Sequence, residues 1–140
     1  VIPGHVFFTV DLRHPDGATL LQMHREFESM IVRVAEQTRT ELTSECVLDL
    51  KPTRFNENCV RLVREAAQRL GYRHRDIVSG PGHDAVNVSS VTPTAMVFMP
   101  CVDGISHNEL EEAREEELAA GANVLMHAIL ECDRTSCGAQ

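Results

Sequence analysis

Three short stretches place reactive side chains where loops meet predicted elements. In DGISHNE (103–109), His107 stands in a glycine-containing loop that follows the apolar run TAMVFMP (94–100). An imidazole in such a loop binds a metal or moves a proton near neutral pH; a solvated loop histidine is the plain alternative. In SGPGHDA (79–85), Gly-Pro-Gly leads into His83 and Asp84 at a predicted helix start. Glycine lets a ligand come close to the backbone, and Gly82 lies where an N–H can meet an anion. A tight turn with Asp84 as an early-turn acid accounts for the same residues. In VFFTVDLRH (6–14), Arg13 ends the first predicted strand. A guanidinium suits two-point recognition of a carboxylate, although on pattern alone a surface arginine paired with some acid is the stronger reading.

The elements that must position these residues alternate between strand and helix periods. Phe8, Val10 and Leu12 share one face of the first run, and Pro15 with Asp16-Gly17 ends it. Leu20, Phe27, Met30, Ile31, Val34 and Ala35 then recur at helical spacing, predicting a helix over 18–37. Glu41 to Phe55 reads as a second strand, with Leu42, Cys46, Leu48 and Leu50 on one parity, closed by Pro52. Residues 5–52 thus read as one βαβ or helix-plus-hairpin unit. Asn56 is a helix cap, Cys59, Val60, Val63, Ala67 and Leu70 mark a helix face, and Gly71 is its stop. DIVSG (76–80) reads as a short strand, HDAVNVSSV (83–91) as a short helix and TAMVFMP as a strand buried on both faces. A last helix places Leu118, Ala122, Leu125 and Ile129 at core spacing. The acidic stretch from Asn108 to Leu118 reads as a solvated face with charge at a helix start. The composition shift at 52–56 marks a boundary between two sub-units.

Bulk properties exclude several classes. A net charge of −8 over 140 residues opposes a nucleic-acid partner, because phosphate binding needs a basic face. No apolar run approaches the roughly 18 residues of a membrane span, and no stretch of these residues reads as a signal peptide. Five scattered cysteines without a CxxC pair read as free thiols in a reducing, cytoplasmic setting. The sequence opens on Val1, not Met, and enters a turn at once, which reads as a piece of a longer chain or a processed product.

VIPGHVFFTVDLRHPD, SGPGHDAV, PTAMVFMPCVDGISHNE and LAAGANVLMHAIL together resemble the carboxyl-terminal portion of the hydantoinase/carbamoylase family amidases. That family comprises N-carbamoyl-L-amino-acid hydrolases, β-ureidopropionases and allantoate amidohydrolases, within the aminoacylase/carboxypeptidase superfamily. The resemblance runs from Val1 to about Leu130, in family order. It implies a mixed α/β fold: residues 1–54 as the second half, a βαβ half, of a lid and dimerisation domain, and residues 55–140 as the end of a metal-dependent catalytic domain. It implies a homodimer acting on a small substrate with a carboxylate and a ureido group, cleaving the carbamoyl C–N bond with the help of zinc, manganese or a related divalent metal.

Residue roles follow only where the motifs match. The resemblance makes His107 a metal ligand, Arg13 the grip on the substrate carboxylate, and Gly82 a backbone donor to the same group. His83 belongs with Gly82 as a substrate-binding residue, and Asp84 shares the signature without a firm role. Pro81 stands where the family usually has Ala. The family's other metal ligands, including the glutamate that shuttles the proton, have no counterpart in these 140 residues, so no catalytic residue is assigned. A zinc site needs about three protein ligands; the isolated chain is therefore expected to hold no metal and to be inactive. The alternative is a non-catalytic dimerising or binding module derived from the family.

Overall fold

The computed structural model describes residues 3–137, with side chains through residue 135. Its contacts divide the chain into two compact units, 1–53 and 54–140.

The first unit is built on α1, Gly17–Thr38. Asp16 starts it: its carboxylate accepts from the Thr19 backbone N–H at 2.9 Å and from the Thr19 hydroxyl at 2.7 Å, satisfying donors that have no partner inside the helix. The helix ends at Arg39, in left-handed conformation with φ 54°. The Arg39 N–H reaches the Glu36 carbonyl and the Thr40 N–H the Ala35 carbonyl, the double closure that usually has glycine at the left-handed position. Leu20, Phe27, Ile31 and Ala35 are half-buried as their spacing predicts, while Met30 and Val34 are 44% and 46% exposed and no residue of the helix is fully buried.

The second unit is organised by α2, Glu57–Arg69, against α4, Glu115–Cys137, with the short α3, Asp84–Ser89, between them in sequence. Asn56 caps α2 through Cys59 N–H at 3.1 Å. Gly71, at φ 73°, closes it: Gly71 N–H bonds the Gln68 carbonyl and Tyr72 N–H the Ala67 carbonyl, and Tyr72 then packs on the helix contact. That contact is made by Ala66, Ala67, Val124 and Ala128, with Val63, Leu70 and Val97 partly buried around it. Small residues at its centre bring the two backbones close, and larger ones seal the rim. Arg69 meets Glu131 at 3.1 Å at the edge.

Two expectations differ from the structure, the packing face of α4 and the burial of TAMVFMP. The face of α4 that packs is Val124 and Ala128, whereas Leu118, Leu125 and Ile129 are 47%, 50% and 58% exposed. The helix carries apolar residues all round, so spacing alone fits more than one face. The strands predicted over 6–14, 41–55, 76–80 and 94–100 form no ladder among the described residues, and the βαβ half is not seen there. A strand is assigned through a ladder of hydrogen bonds to a neighbour; the Thr94 carbonyl accepts from the Asn56 N–H at 3.1 Å, and no ladder extends from that bond among the described residues. TAMVFMP is not buried on both faces either: Thr94 to Val97 are half-buried, and Phe98 and Met99 are exposed.

Candidate functional site

In the second unit, the loop after residue 78 folds His83 back onto Ser79. The Ser79 hydroxyl and His83 Nε2 lie 2.5 Å apart, both residues half-buried. Phe98, from the apolar run, meets the His83 ring edge-on, with centroids 5.5 Å apart and planes at 64°. His83 is the extended residue immediately before α3, at φ −133°, and Asp84 is the first, exposed residue of that helix. Space beside Gly82 is open: a methyl group placed there meets nothing within 4 Å. That side of Gly82 is sterically open.

His107 occupies a second loop, closed on itself between the apolar run and α4. A 3-10 turn, Val102–Gly104, opens it, with Asp103 and Gly104 both left-handed at φ 54° and 71°. His107 is left-handed too, at φ 56°, a conformation unusual for a side chain with a Cβ. Glu111 holds it there, accepting the His107 backbone N–H at 2.7 Å. Asn108 turns the chain between them, its side chain accepting from Leu110 N–H and its carbonyl from Glu111 N–H, each at 2.9 Å. Val102 N–H to the Glu112 carbonyl, at 2.7 Å, closes the base. The His107 ring lies exposed, with Nδ1 3.3 Å from the Ser106 hydroxyl.

Arg13, in the first unit, is exposed and forks onto Asp11: Nε lies 3.0 Å from both carboxylate oxygens and Nη2 2.5 Å from one. Hydrogen bonding to Arg13 holds the Asp11 carboxyl below its ordinary value and raises Arg13 above its own. The geometry is the two-point carboxylate recognition read from the sequence, here satisfied by the chain's own acid.

No three His, Cys, Asp or Glu side chains among the described residues converge on a point where a metal could sit. The described residues do not by themselves fit a metal centre, and His107 is one ligand at most. Two shallow hollows, one around Asn56, Ser89 and Thr94 and one on α1 around Arg25 and Met30, contain none of the candidate residues. Ser79, Phe98, Glu111 and Asp11 were not singled out by sequence. Ser79 and Glu111 each lie four positions from their histidine, yet in a loop that spacing carries no fixed contact.

Comparison with known proteins places these loops in a family. The model of peptidase family M20/M25/M40 matches residues 8–131. The N-carbamoyl-L-amino-acid amidohydrolase of Rhizobium meliloti is 46% identical over 131 residues, covering 94% of this chain and 32% of the relative. The allantoate amidohydrolase of Escherichia coli K12 is 32% identical, covering 89% and 30%. Among solved structures, a hydantoinase/carbamoylase family amidase from Burkholderia multivorans superposes with a TM-score of 0.82 at 53% identity, over 84% of this chain and 29% of that one. One from Burkholderia ambifaria gives 0.75 at 37% identity, over 84% and 28%. The chain spans about a third of the length of the curated relatives it matches. The chain belongs to peptidase family M20/M25/M40, as a partial length of it with hydantoinase/carbamoylase amidases among its structural neighbours.

Proposed function

We propose that this chain is part of an amidohydrolase that cleaves the carbamoyl or ureido C–N bond of N-carbamoyl amino acids, β-ureidopropionate or allantoate. The observation that carries this reading is the superposition on a hydantoinase/carbamoylase amidase at 53% identity. Relatives named for N-carbamoyl-L-amino acids and for allantoate support the substrate class. Residues 1–54 are read as part of a lid and dimerisation domain and residues 55–140 as part of the catalytic domain. A homodimer and a cytoplasmic location belong to the same proposal. The four cysteines with described side chains, Cys46, Cys59, Cys101 and Cys132, are free, as a reducing compartment requires, and no helix among the described residues is long and apolar enough to cross a membrane.

Each residue has a defined task. The Arg13 guanidinium takes the substrate carboxylate by exchanging it for Asp11, an exchange between like groups at an exposed site. The Gly82 N–H donates to a carboxylate approaching over its open face. His83 offers a ring nitrogen to the substrate. His107 contributes one ligand to a zinc or manganese centre whose other ligands come from residues other than those described. The proton-shuttling glutamate is not assigned to any residue of this chain.

The test is turnover by the intact polypeptide that carries this chain, with N-carbamoyl-L-amino acids, β-ureidopropionate and allantoate offered separately and ammonia release measured. Hydrolysis of at least one, with Arg13→Ala raising KM by at least about tenfold, is the expected result. Failure with all three substrates in metal-loaded protein would overturn the reading in favour of a non-catalytic dimerising or binding module.

A further inference from the structure

We propose that Ser79 is a positioning residue for His83: its hydroxyl donates to Nε2, so the neutral ring carries its proton on Nδ1 and presents that N–H to the substrate. This deepens the amidohydrolase reading and rests on the role of His83 in it. The argument begins with the ring's freedom. An isolated half-buried imidazole rotates about two bonds and exchanges between two tautomers, and an unsuitable tautomer aims a lone pair where a donor is needed. Two contacts remove that freedom. Phe98 meets the ring edge-on, 5.5 Å between centroids and 64° between planes, and limits the tilt of the ring plane. Ser79 Oγ, 2.5 Å from Nε2, fixes which nitrogen faces inward.

The direction of that hydrogen bond follows from what each atom lacks. Among the described residues the Ser79 hydroxyl and His83 Nε2 face one another, and the tautomer decides which of the two donates; a half-buried hydroxyl proton is costly to leave unmatched. Donation from serine uses that proton and leaves the ring proton on Nδ1. No hydrogen bond to Nδ1 from another described residue is formed, so the second nitrogen stays available to a ligand. The loop enforces the spacing: Pro81 fixes one backbone dihedral between the two residues, and Gly82 leaves its flank open. An Nδ1–H is a donor, the polarity that a carboxylate or a ureido oxygen needs.

The experiment is a long-range proton–nitrogen correlation spectrum of the histidine rings in the 140-residue chain. It is recorded in alkaline buffer, about two pH units above the ordinary imidazole value of ~6.5. The His83 signal is identified by its loss in His83→Gln. The expected spectrum shows a pyrrole-like Nδ1 and a pyridine-like Nε2 for His83. Ser79→Ala reverses the pattern to the Nε2–H form that free histidine prefers, and Ser79→Thr, which keeps a hydroxyl, restores it. A wild-type ring already in the Nε2–H form overturns the proposal without any variant. So does an Nδ1–H ring that Ser79→Ala leaves unchanged, since the serine would then be only a packing residue. The tautomer is read without substrate or metal, so its failure is separable from failure of the amidohydrolase reading, which turnover decides.

Discussion

His107 and Arg13 illustrate how a side chain is prepared by a neighbour that carries no chemistry of its own. A left-handed backbone at a residue with a Cβ costs roughly 1–3 kcal/mol and persists only where surroundings impose it. At His107 the imposing group is the Glu111 carboxylate, on the backbone N–H at 2.7 Å. We expect Glu111→Ala to release that amide, raising its hydrogen-exchange rate by about tenfold, the worth of one hydrogen bond to a charged acceptor at an exposed site. Glu111→Gln, which keeps an acceptor oxygen, is expected to lose less; equal exchange in all three proteins would show that the loop holds itself. At Arg13 the neighbour is a competitor. Asp11→Asn removes the carboxylate that now fills the guanidinium fork, and KM for a carboxylate substrate in the intact enzyme is expected to fall by about a few-fold, as suits an exposed pair. The sequence alone already held both readings of Arg13, a carboxylate grip and a surface ion pair, and the structure shows the second while leaving the first chemically open. Ser79 and Glu111 were illegible because contacts inside loops follow no period, unlike the three- and four-residue neighbours of a helix.

Two helices end with the same hydrogen-bond closure and different residues in the left-handed seat. At the end of α2 that residue is Gly71, φ 73°; at the end of α1 it is Arg39, φ 54°. Only the second pays a steric penalty. Arg39→Gly is therefore expected to stabilise the first unit by about 0.5–1 kcal/mol, the left-handed cost less the added freedom of glycine in the unfolded chain; Gly71→Ala is expected to destabilise the second unit by a similar ~1 kcal/mol. Urea melts of the two variants check both signs, and a stable Gly71→Ala protein would mean the cap can rearrange. Asn56 and Gly71 were readable from sequence because a cap is a local device with its own residue preferences, whereas Asp16 was read only as part of a turn. The packing face of α4 was not, since Leu118, Val124, Leu125, Ile129 and Leu130 surround the helix and only the close approach of Ala66 and Ala128 selects one side. Ala66 is fully buried, so Ala66→Leu is expected to cost about 1–3 kcal/mol by overpacking. The predicted strands were read from alternation and apolar runs; they form no ladder among the described residues, and pairing is not a property of one segment.

Taken whole, the chain has little core for its apolar content. Only Leu62, Ala66, Ala67, Val124 and Ala128 are buried among the described residues, while Phe7, Val47 and Leu48 are 83%, 81% and 71% exposed. The exposed Arg64–Asp76 ion pair ties α2 to the segment after it. Hydrogen bonding to Arg64 holds the Asp76 carboxyl below its ordinary value of 3.8. A carboxyl depressed by folding contributes stability that is present above its unfolded value and lost as pH falls through the folded one. The pair therefore helps the fold above pH 3.8 and gives way below it. Asp76→Asn should remove this contribution near neutral pH and flatten the loss of stability on the acid side. Thermal melts from neutral pH down through the carboxylate range distinguish the outcomes. Curves for wild type and variant that converge at low pH are expected, whereas curves that stay parallel would mean that solvent, not Arg64, sets the charge of Asp76. The same scale governs metal binding. With no three ligand-type side chains converging among the described residues and about three needed per zinc, the 140-residue chain is expected to retain well under one zinc per chain after loading and dialysis, read by elemental mass spectrometry. If one zinc per chain is retained and then lost in His107→Ala, the chain builds a centre around that loop by association or rearrangement. Retention that is indifferent to His107→Ala would remove His107 from the proposed ligand set altogether.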